Sequence, residues 1–295
     1  MSFALQKLYD CISKGLGMVM IPNNVRSILE KQALQLEMLN GNEGTSNVLA
    51  DLYYDEYLSE TNTQKLYERT CSRFLYQEIK KQKNIENVIN KTKDILEKEP
   101  ENIISKENVD EDWIMRFFNS VQDISDEKMQ EFWGKILAGE IKNPGSFSLR
   151  SLDAMTKMSK NEAKLFMNMS KYIIKINGNL VILNDEDLNK RFSITYGHIV
   201  ALDEYGIIDS NTMMFLEFKI NEKKDCKIIY DSQSLIAYSK EEKKIVIPIF
   251  KLTKIGKDIY KIAKGQVDNT YFHEVTKFLE KGNKDVSFSL YKIEN

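Results

Sequence analysis

The chain has 295 residues, of which 42% are hydrophobic, and its 42 Lys and Arg against 44 Asp and Glu leave a formal charge of −2. This composition excludes a disordered or fibrous protein and supplies enough apolar residues for about two globular domains. The nearly balanced charge also provides no overall basic field for binding nucleic acid.

The residues that usually perform catalysis or bind metals are few and scattered. The two histidines and three cysteines lie far apart and show no metal-ligand spacing. There is no glycine-rich phosphate loop, HExxH pair, CxxC pair or nucleophile elbow. We therefore predict no catalytic residue, metal or cofactor, although a pocket with convergent carboxylates would revive an enzymatic hypothesis. The absence of a signal-peptide core and of any run of about 18 apolar residues predicts a cytoplasmic protein without a transmembrane segment.

The N-terminal third has the pattern of helices. Apolar residues at helical spacing predict a helical hairpin over about residues 2–39, followed by a turn or linker, NGNEGTSN. No Pro or Gly interrupts residues 63–99, where an apolar stripe predicts one long helix. This stripe contains Leu66, Phe74, Leu75, Ile79, Ile85, Val88, Ile89 and Leu96. Because it offers more apolar surface than one side of a helix needs, self-association is expected.

Two further helices are marked by their first residues. Acidic residues from Asp110 precede one amphipathic run, and the sequence SDEK from Ser125 precedes another, as is typical of helix N-termini. Trp113 and Trp133 lie on these runs, and we predict that both belong to a helical core.

A polar corner follows the second of these helices. The sequence NPG from Asn143 predicts a turn, and either Ser146 or Ser148 after it can cap a helix that begins near Leu149. The polar residues of this corner are Glu140, Lys142, Ser146, Ser148 and Arg150. They either fix the angle between two helices or form a binding site for an anion or a protein partner at a helix N-terminus.

Beyond about residue 175 the pattern changes to strands mixed with helices. Alternating and β-branched segments such as FLEFKI and KKIVIPIFKLT predict strands, and the order of the elements resembles a winged helix. In such a domain the residues before the probable recognition helix, Asn189, Lys190, Arg191 and Tyr196, are candidates for contacting DNA. Residues 205–295 contain no arginine, the residue that reads guanine best, which disfavours specific DNA binding.

Together these patterns predict a mainly α protein. We expect an N-terminal helical domain over residues 1–150 and a C-terminal, winged-helix-like α+β domain over residues 151–295.

Two segments carry a family resemblance. RFLYQEIKKQKNIENVI (73–89) and the sequence from Asp110 to Phe166 resemble the bacterial family catalogued as domain of unknown function 2806, and KGLGMVMIPNNVR (14–26) is similar to the start of that family. The family has no established activity. FWGKILAGEI (132–141) and MSKNEAKLF (158–166) are similar to the abortive-infection alpha family, which implies bacterial defence against phage.

These observations favour a non-enzymatic bacterial interaction protein, with phage defence as its expected setting. It would bind a protein partner or itself. The alternative hypothesis is a DNA-binding transcriptional regulator that uses the winged helix.

Overall fold

The computed structural model describes residues 2–16, 63–222, 225–263 and 266–292. The chain divides into two compact units, Met1–Pro144 and Gly145–Asn295. The second arm of the predicted hairpin and the linker NGNEGTSN lie outside the described residues.

The described part of the first unit is helical. It contains α1 (Phe3–Leu16), α2 (Thr63–Leu96), a 3₁₀ turn (Glu101–Ile103), α3 (Glu111–Val121) and α4 (Glu127–Lys142). Helix α2 packs along α4, and α1 packs against α3. The long helix predicted between residues 63 and 99 is therefore confirmed.

Both predicted helix starts are capped by aspartates. The carboxylate of Asp110 accepts a hydrogen bond of 2.9 Å from the backbone N–H of Trp113, and that of Asp126 accepts one of 3.1 Å from Met129. These bonds satisfy N–H groups that have no partner within the helix and place negative charge near the positive end of the helix dipole.

The core of the first unit is aromatic. Trp133 is completely buried and packs edge-on against Phe117 with 5.6 Å between ring centroids, while Trp113 stacks on Phe117 at 5.2 Å. The prediction that both tryptophans belong to a helical core is confirmed.

Helix α1 is held in place by a buried lysine and a glycine. The ammonium group of Lys7 donates hydrogen bonds to the carbonyl oxygens of Ser105, Glu107 and Ile141, so its three donors have three acceptors. Gly15 lies so close to α3 that a Cβ there would overlap the ring of Phe118. This glycine therefore permits close packing of two helices.

The second unit mixes helices and strands. Its helices are α5 (Leu149–Thr156), α6 (Lys160–Ser170), α7 (Glu186–Arg191), α8 (Tyr196–Glu204), α9 (Lys254–Tyr260) and α10 (Asn269–Gly282). Its strands are β1 (Ile174–Ile176), β2 (Asn179–Leu183), β3 (Ile208–Asp209), β4 (Phe215–Ile220), β5 (Cys226–Tyr230), β6 (Gln233–Tyr238), β7 (Lys243–Leu252) and β8 (Ser287–Lys292).

These eight strands form an antiparallel sheet. Seven of them follow the order β3-β7-β2-β1-β5-β6-β8, and the eighth, β4, pairs with β7 outside this order. The ten-residue strand β7 pairs with β2 through its second half and with β4 through its first half. Strand β8 forms one end of the sheet order, where it pairs with β6.

The prediction of a mainly α protein is wrong. The C-terminal part carries a large eight-stranded sheet, so the protein is an α+β mixture, and this sheet is more extensive than the small wing expected of a winged-helix-like domain. The reason is that several short segments acquire strand structure by pairing with distant partners, as Lys175 of β1 does with Ile229 of β5.

Helix α9 begins at a very close contact with the sheet. The side chain of Thr253 caps it by accepting a hydrogen bond of 3.1 Å from the N–H of Gly256. A Cβ at Gly256 would overlap the carbonyl oxygen of Ile207, so only glycine fits there without a backbone shift. This contact fixes the position of α9, including Asp258 on it.

Candidate functional site

The structure divides the predicted polar corner between the two units. Glu140 and Lys142 belong to α4 of the first unit. Glu140 is buried, and the ammonium group of Lys142 forms an ion pair of 2.7 Å with Glu99. Lys142 is therefore already neutralised within its own unit.

Ser146, Ser148 and Arg150 belong to the second unit. Of the two serines that could cap α5, Ser148 does so, and its hydroxyl oxygen accepts a hydrogen bond from the N–H of Ser151. The carbonyl oxygen of Ser146 accepts a hydrogen bond from Lys261 of the same unit. Arg150 is exposed.

The residue that joins these groups is Asp258. Its Oδ2 atom accepts hydrogen bonds from the N–H of Ser148 at 3.2 Å and from the hydroxyl of Ser151 at 2.8 Å. Its Oδ1 atom accepts from the ammonium groups of Lys254 at 2.8 Å and Lys261 at 3.0 Å. The carboxylate is completely buried, whereas both lysines remain about half exposed.

The electrostatics favour an ionised Asp258. Burial by itself raises the pKa of this carboxyl group, but the hydrogen bonds from Lys254, Lys261, Ser151 and the Ser148 N–H outweigh burial and lower the pKa below its ordinary value. The N-terminus of α5 thus binds an anionic group, as the sequence analysis proposed for one of its two interpretations of the polar corner. That group is the carboxylate of Asp258 in the same chain. The arrangement stabilises the packing of α5 on α9.

The lowered pKa of Asp258 predicts a specific pH dependence. A carboxyl group whose pKa is lower in the folded state stabilises the fold above its unfolded pKa of about 3.9, and this stabilisation is lost as the pH falls through the folded pKa. We expect the difference in free energy of unfolding between the wild type and Asp258→Asn to be largest near neutral pH. It should shrink between about pH 5 and pH 2. Urea denaturation at several pH values measures this difference, and a constant difference across that range would contradict the assignment.

The residues predicted to contact DNA lie on α7 and at the start of α8. They are Asn189, Lys190, Arg191 and Tyr196. The guanidinium of Arg191 forms an ion pair of 2.6 Å with Glu274. The side-chain oxygen of Asn189 is buried and has no hydrogen-bond partner within the described residues. Lys190 and Tyr196 are exposed. Two of the four residues are thus poorly placed to contact DNA.

Two lysines on the paired strands β4 and β7 also form ion pairs with carboxylates. Lys244 forms an ion pair of 2.8 Å with Glu217, and Lys219 forms one of 3.1 Å with Glu242. Phosphate groups would have to compete with these carboxylates for the lysines, which weakens this strand pair as a DNA-binding wing.

The most unusual surface of the first unit is a stretch of α2. Every residue in Ser72–Lys80 is exposed. Four of them are large and apolar, with exposed fractions of 60% for Phe74, 55% for Leu75, 57% for Tyr76 and 39% for Ile79. We call residues 72–80 the α2 projection. The sequence analysis placed Phe74, Leu75 and Ile79 in the same apolar stripe as Val88, and the structure leaves these three residues exposed while Val88 is buried.

Helix geometry separates only part of the projection from the core-facing side of α2. At about 100° per residue, Ile79 is turned well away from buried Val88 and Leu96. Phe74 lies on the same side as those two residues and is nevertheless exposed. Three exposed basic residues, Arg73, Lys80 and Lys83, lie on the side of α2 that carries Tyr76, and none has an ion-pair partner in the part of the chain that the structure describes. The projection therefore combines an apolar strip with a positively charged flank.

Other kinds of site receive little support from the described residues. An open depression on the first unit is lined by Gln77, Lys80, Lys81, Asn84, Gln122 and Asp123. Within residues 2–16, 63–222, 225–263 and 266–292, no group of His, Cys, Asp or Glu is arranged to hold a metal ion. None of the helices described for this chain is long and apolar enough to cross a membrane.

Sequence reasoning missed two features of these surfaces. Asp258 lies 110 residues from Ser148, and a single aspartate between lysines carries no signal for that contact. The excess of apolar residues on α2 indicated an interaction surface in the sequence. Which of these residues are exposed could not be predicted, because it depends on how much of α2 the shorter helix α4 covers.

Comparison with known proteins identifies one family. A family model described as "Protein of unknown function (DUF2806)" matches residues 68–276, a range that includes the α2 projection, the Asp258 cluster and most of the sheet. No curated protein and no solved structure matches the chain. The likeness to the abortive-infection alpha family is not among these matches.

Proposed function

The chain belongs to the DUF2806 family of proteins of unknown function, and we propose that it is a non-enzymatic bacterial interaction protein that binds a protein partner through the α2 projection. The observation that carries this proposal is the continuous exposure of residues 72–80, with four large apolar side chains among them. This projection lies inside the range that matches the family.

The physical argument begins with the cost of leaving these side chains in water. Burying a large apolar side chain contributes about 1.5–3 kcal/mol, and a short helical stretch that packs on nothing is marginally stable in water. Contiguous exposed apolar side chains are therefore typical of binding surfaces. Phe74 and Tyr76 are also of the residue class that supplies much of the binding energy at interfaces.

The charged flank indicates the chemistry of the partner. Arg73, Lys80 and Lys83 would lie at the edge of the interface nearest Tyr76. A partner with an apolar groove bordered by Asp or Glu would bury the strip and complement this charge. Rim charges mainly accelerate association and select the partner, while the apolar centre determines how slowly it dissociates.

We expect the double substitution Leu75→Lys and Ile79→Lys to abolish partner binding without unfolding the protein. Both side chains are exposed, so the melting temperature should change little. The measurement is affinity capture of the full chain from its native cells, with bound proteins quantified for wild type and variant. A matched control is Met167→Lys, which changes an exposed apolar residue on α6 of the second unit.

A photo-crosslinking residue at position 76 provides an independent readout, because it should label the same partner that the double variant loses. If the double variant captures the same proteins as wild type and the Met167→Lys control, and the crosslinker at position 76 labels none of them, the α2 projection is not the binding surface.

The proposed setting of this interaction is phage defence in the bacterial cytoplasm. Its support is the sequence likeness of residues 132–141 and 158–166 to the abortive-infection alpha family. The test is the efficiency of plating of a phage panel on cells that express wild type, the α2 double variant or the Met167→Lys control. Equal plating on all strains, including cells lacking the protein, would contradict a defence role.

A DNA-binding transcriptional regulator is the second candidate, and one observation favours it. Strands β2, β7 and β3 lie side by side, with α7 and α8 between β2 and β3 in the chain, which is the order expected for a winged helix. The test is a duplex-DNA mobility shift at low and moderate salt, with Lys190→Glu as a variant. DNA binding that falls steeply with salt and is weakened by this substitution would support a regulator, whereas no shift at low salt would exclude it.

A further inference from the structure

The end of the sheet presents a second surface that the α2 projection does not explain. Strand β8 pairs with β6 through residues 287–292, and within the described residues its other edge pairs with no strand. Such an edge offers unpaired backbone N–H and C=O groups at the strand spacing that another strand requires.

The sequence of β8, SFSLYK, has few of the features that protect an edge strand from pairing. It contains no proline, and its only charged residue is Lys292 at the end. Two apolar side chains are exposed, Leu290 at 60% and Tyr291 at 53%. Protected edges usually carry charged residues, proline or a bulge at their centre. The centre of β8 therefore favours the addition of another strand.

We propose that a second copy of this chain pairs with β8, strand against strand and antiparallel, so that the two sheets form one continuous sheet across a two-fold axis. Closed two-fold pairing is the commonest form of self-association in soluble proteins. This self-association goes beyond the partner binding proposed for α2 and uses a different surface.

The alternation of side chains restricts the register of this pairing. A two-fold axis perpendicular to the sheet keeps each side chain on its own face, so residues directly opposite each other must both be odd-numbered or both even-numbered. Centring the pair on Ser289 places Leu290 opposite Phe288 and Tyr291 opposite Ser287 of the other copy. A pair centred on Phe288 would instead bring Lys292 toward Lys284 in the turn before β8, and like charges close together are unfavourable.

The charges at the two ends of β8 also suit pairing with a second copy. Asp285 lies just before the strand, where it is 3.8 Å from the ammonium group of Lys243 in its own chain and still 81% exposed. Lys292 ends the strand. Antiparallel pairing centred on Ser289 brings Lys292 of each copy to the Asp285 end of the other. Opposite charges therefore meet at both ends of the interface.

The first experiment measures the mass of the full chain in solution by light scattering and sedimentation over a range of concentrations. We expect a species of twice the chain mass of 34.4 kDa in equilibrium with the single chain. Tyr291→Glu should weaken the dimer at least about tenfold. The melting temperature should be unchanged at concentrations where the wild type is a single chain. The matched control is Phe215→Glu, which alters an aromatic strand residue of similar exposure, 55%, that lies on β4 opposite Pro248.

The second experiment tests the register. In Ser289→Cys the two new thiols lie directly opposite each other, within the Cα separation that a disulfide requires, so oxidation should cross-link the copies. In Ser287→Cys they are about 14 Å apart along the strands and should not react.

Two outcomes would overturn the proposal. One is a single chain at every concentration, and the other is a dimer that withstands Tyr291→Glu and is not cross-linked through position 289. A dimer lost only in the Leu75→Lys and Ile79→Lys variant would assign self-association to the α2 projection instead. Loss of the partner in that variant, with the dimer retained, would show that the two surfaces act separately.

Discussion

Trp133→Ala is expected to lower the free energy of unfolding by about 3–5 kcal/mol. The side chain of Trp133 is completely buried between the helices of the first unit and contacts the ring of Phe117 at 5.6 Å. Removing the indole eliminates this contact and leaves a cavity that the surrounding helices can fill only in part, because protein interiors are closely packed. This is one of the two largest effects that we predict for single substitutions.

The measurement is urea denaturation followed by tryptophan fluorescence. The chain has two tryptophans, and Trp113 also lies in the first unit, so it continues to report on that unit after Trp133 is replaced. Met115→Ala is the control, since Met115 lies on the same helix as Trp113 and is 47% exposed. It should cost less than about 0.5 kcal/mol.

Trp133→Phe is expected to be much milder than the alanine variant. It keeps an aromatic ring against Phe117 and removes the indole N–H, which is buried without a hydrogen-bond partner among the described residues. If Trp133→Ala barely changes the stability, Trp133 does not belong to the core and a binding role for it would have to be considered.

Asp258→Ala is expected to lower the free energy of unfolding by about 2–4 kcal/mol. The substitution removes the acceptor for the Ser148 N–H and the Ser151 hydroxyl, and a buried donor left without a partner costs about 1–3 kcal/mol. Lys254 and Lys261 contribute less to this loss, because both are about half exposed and can be solvated by water.

Hydrogen exchange followed by mass spectrometry locates this effect. We expect faster exchange in residues 146–151 and 254–261 of Asp258→Ala, because α5 loses a hydrogen bond at its first turn and its connection to α9. Asp258→Asn should retain part of the protection, since its amide oxygen can still accept one bond. The control Glu241→Ala removes a highly exposed carboxylate and should leave exchange in both segments unchanged. If residues 146–151 and 254–261 exchange no faster in Asp258→Ala than in wild type, Asp258 does not stabilise the contact between α5 and α9.

The proposed binding surfaces lie on different elements of the chain, which makes their functions separable by mutation. The α2 projection carries the proposed binding to a partner, and the edge of β8 carries the proposed self-association. If both proposals hold, a dimer would present two copies of the α2 projection to the partner and increase the apparent affinity for a partner with repeated sites.

The sequence by itself determined the local features of this protein. The two helix starts near Asp110 and Ser125, a serine cap for α5 and the burial of both tryptophans followed from residues three or four positions apart. Such signals are reliable because a helix makes its hydrogen bonds and its apolar face from neighbours in the chain. The resemblance to DUF2806 also rested on contiguous sequence, and the family match confirms it.

The tertiary structure alone decided the features that depend on distant residues. The sheet joins strands such as β2 and β7, which are separated by about 60 residues, and the prediction of a mainly α protein failed because strand pairing is not local. The exposure of Phe74 and its neighbours arises because α2 has 34 residues and α4 only 16, so α4 can cover about half the length of α2. Burial depends on what lies opposite a residue, and the pattern along one helix does not contain that information.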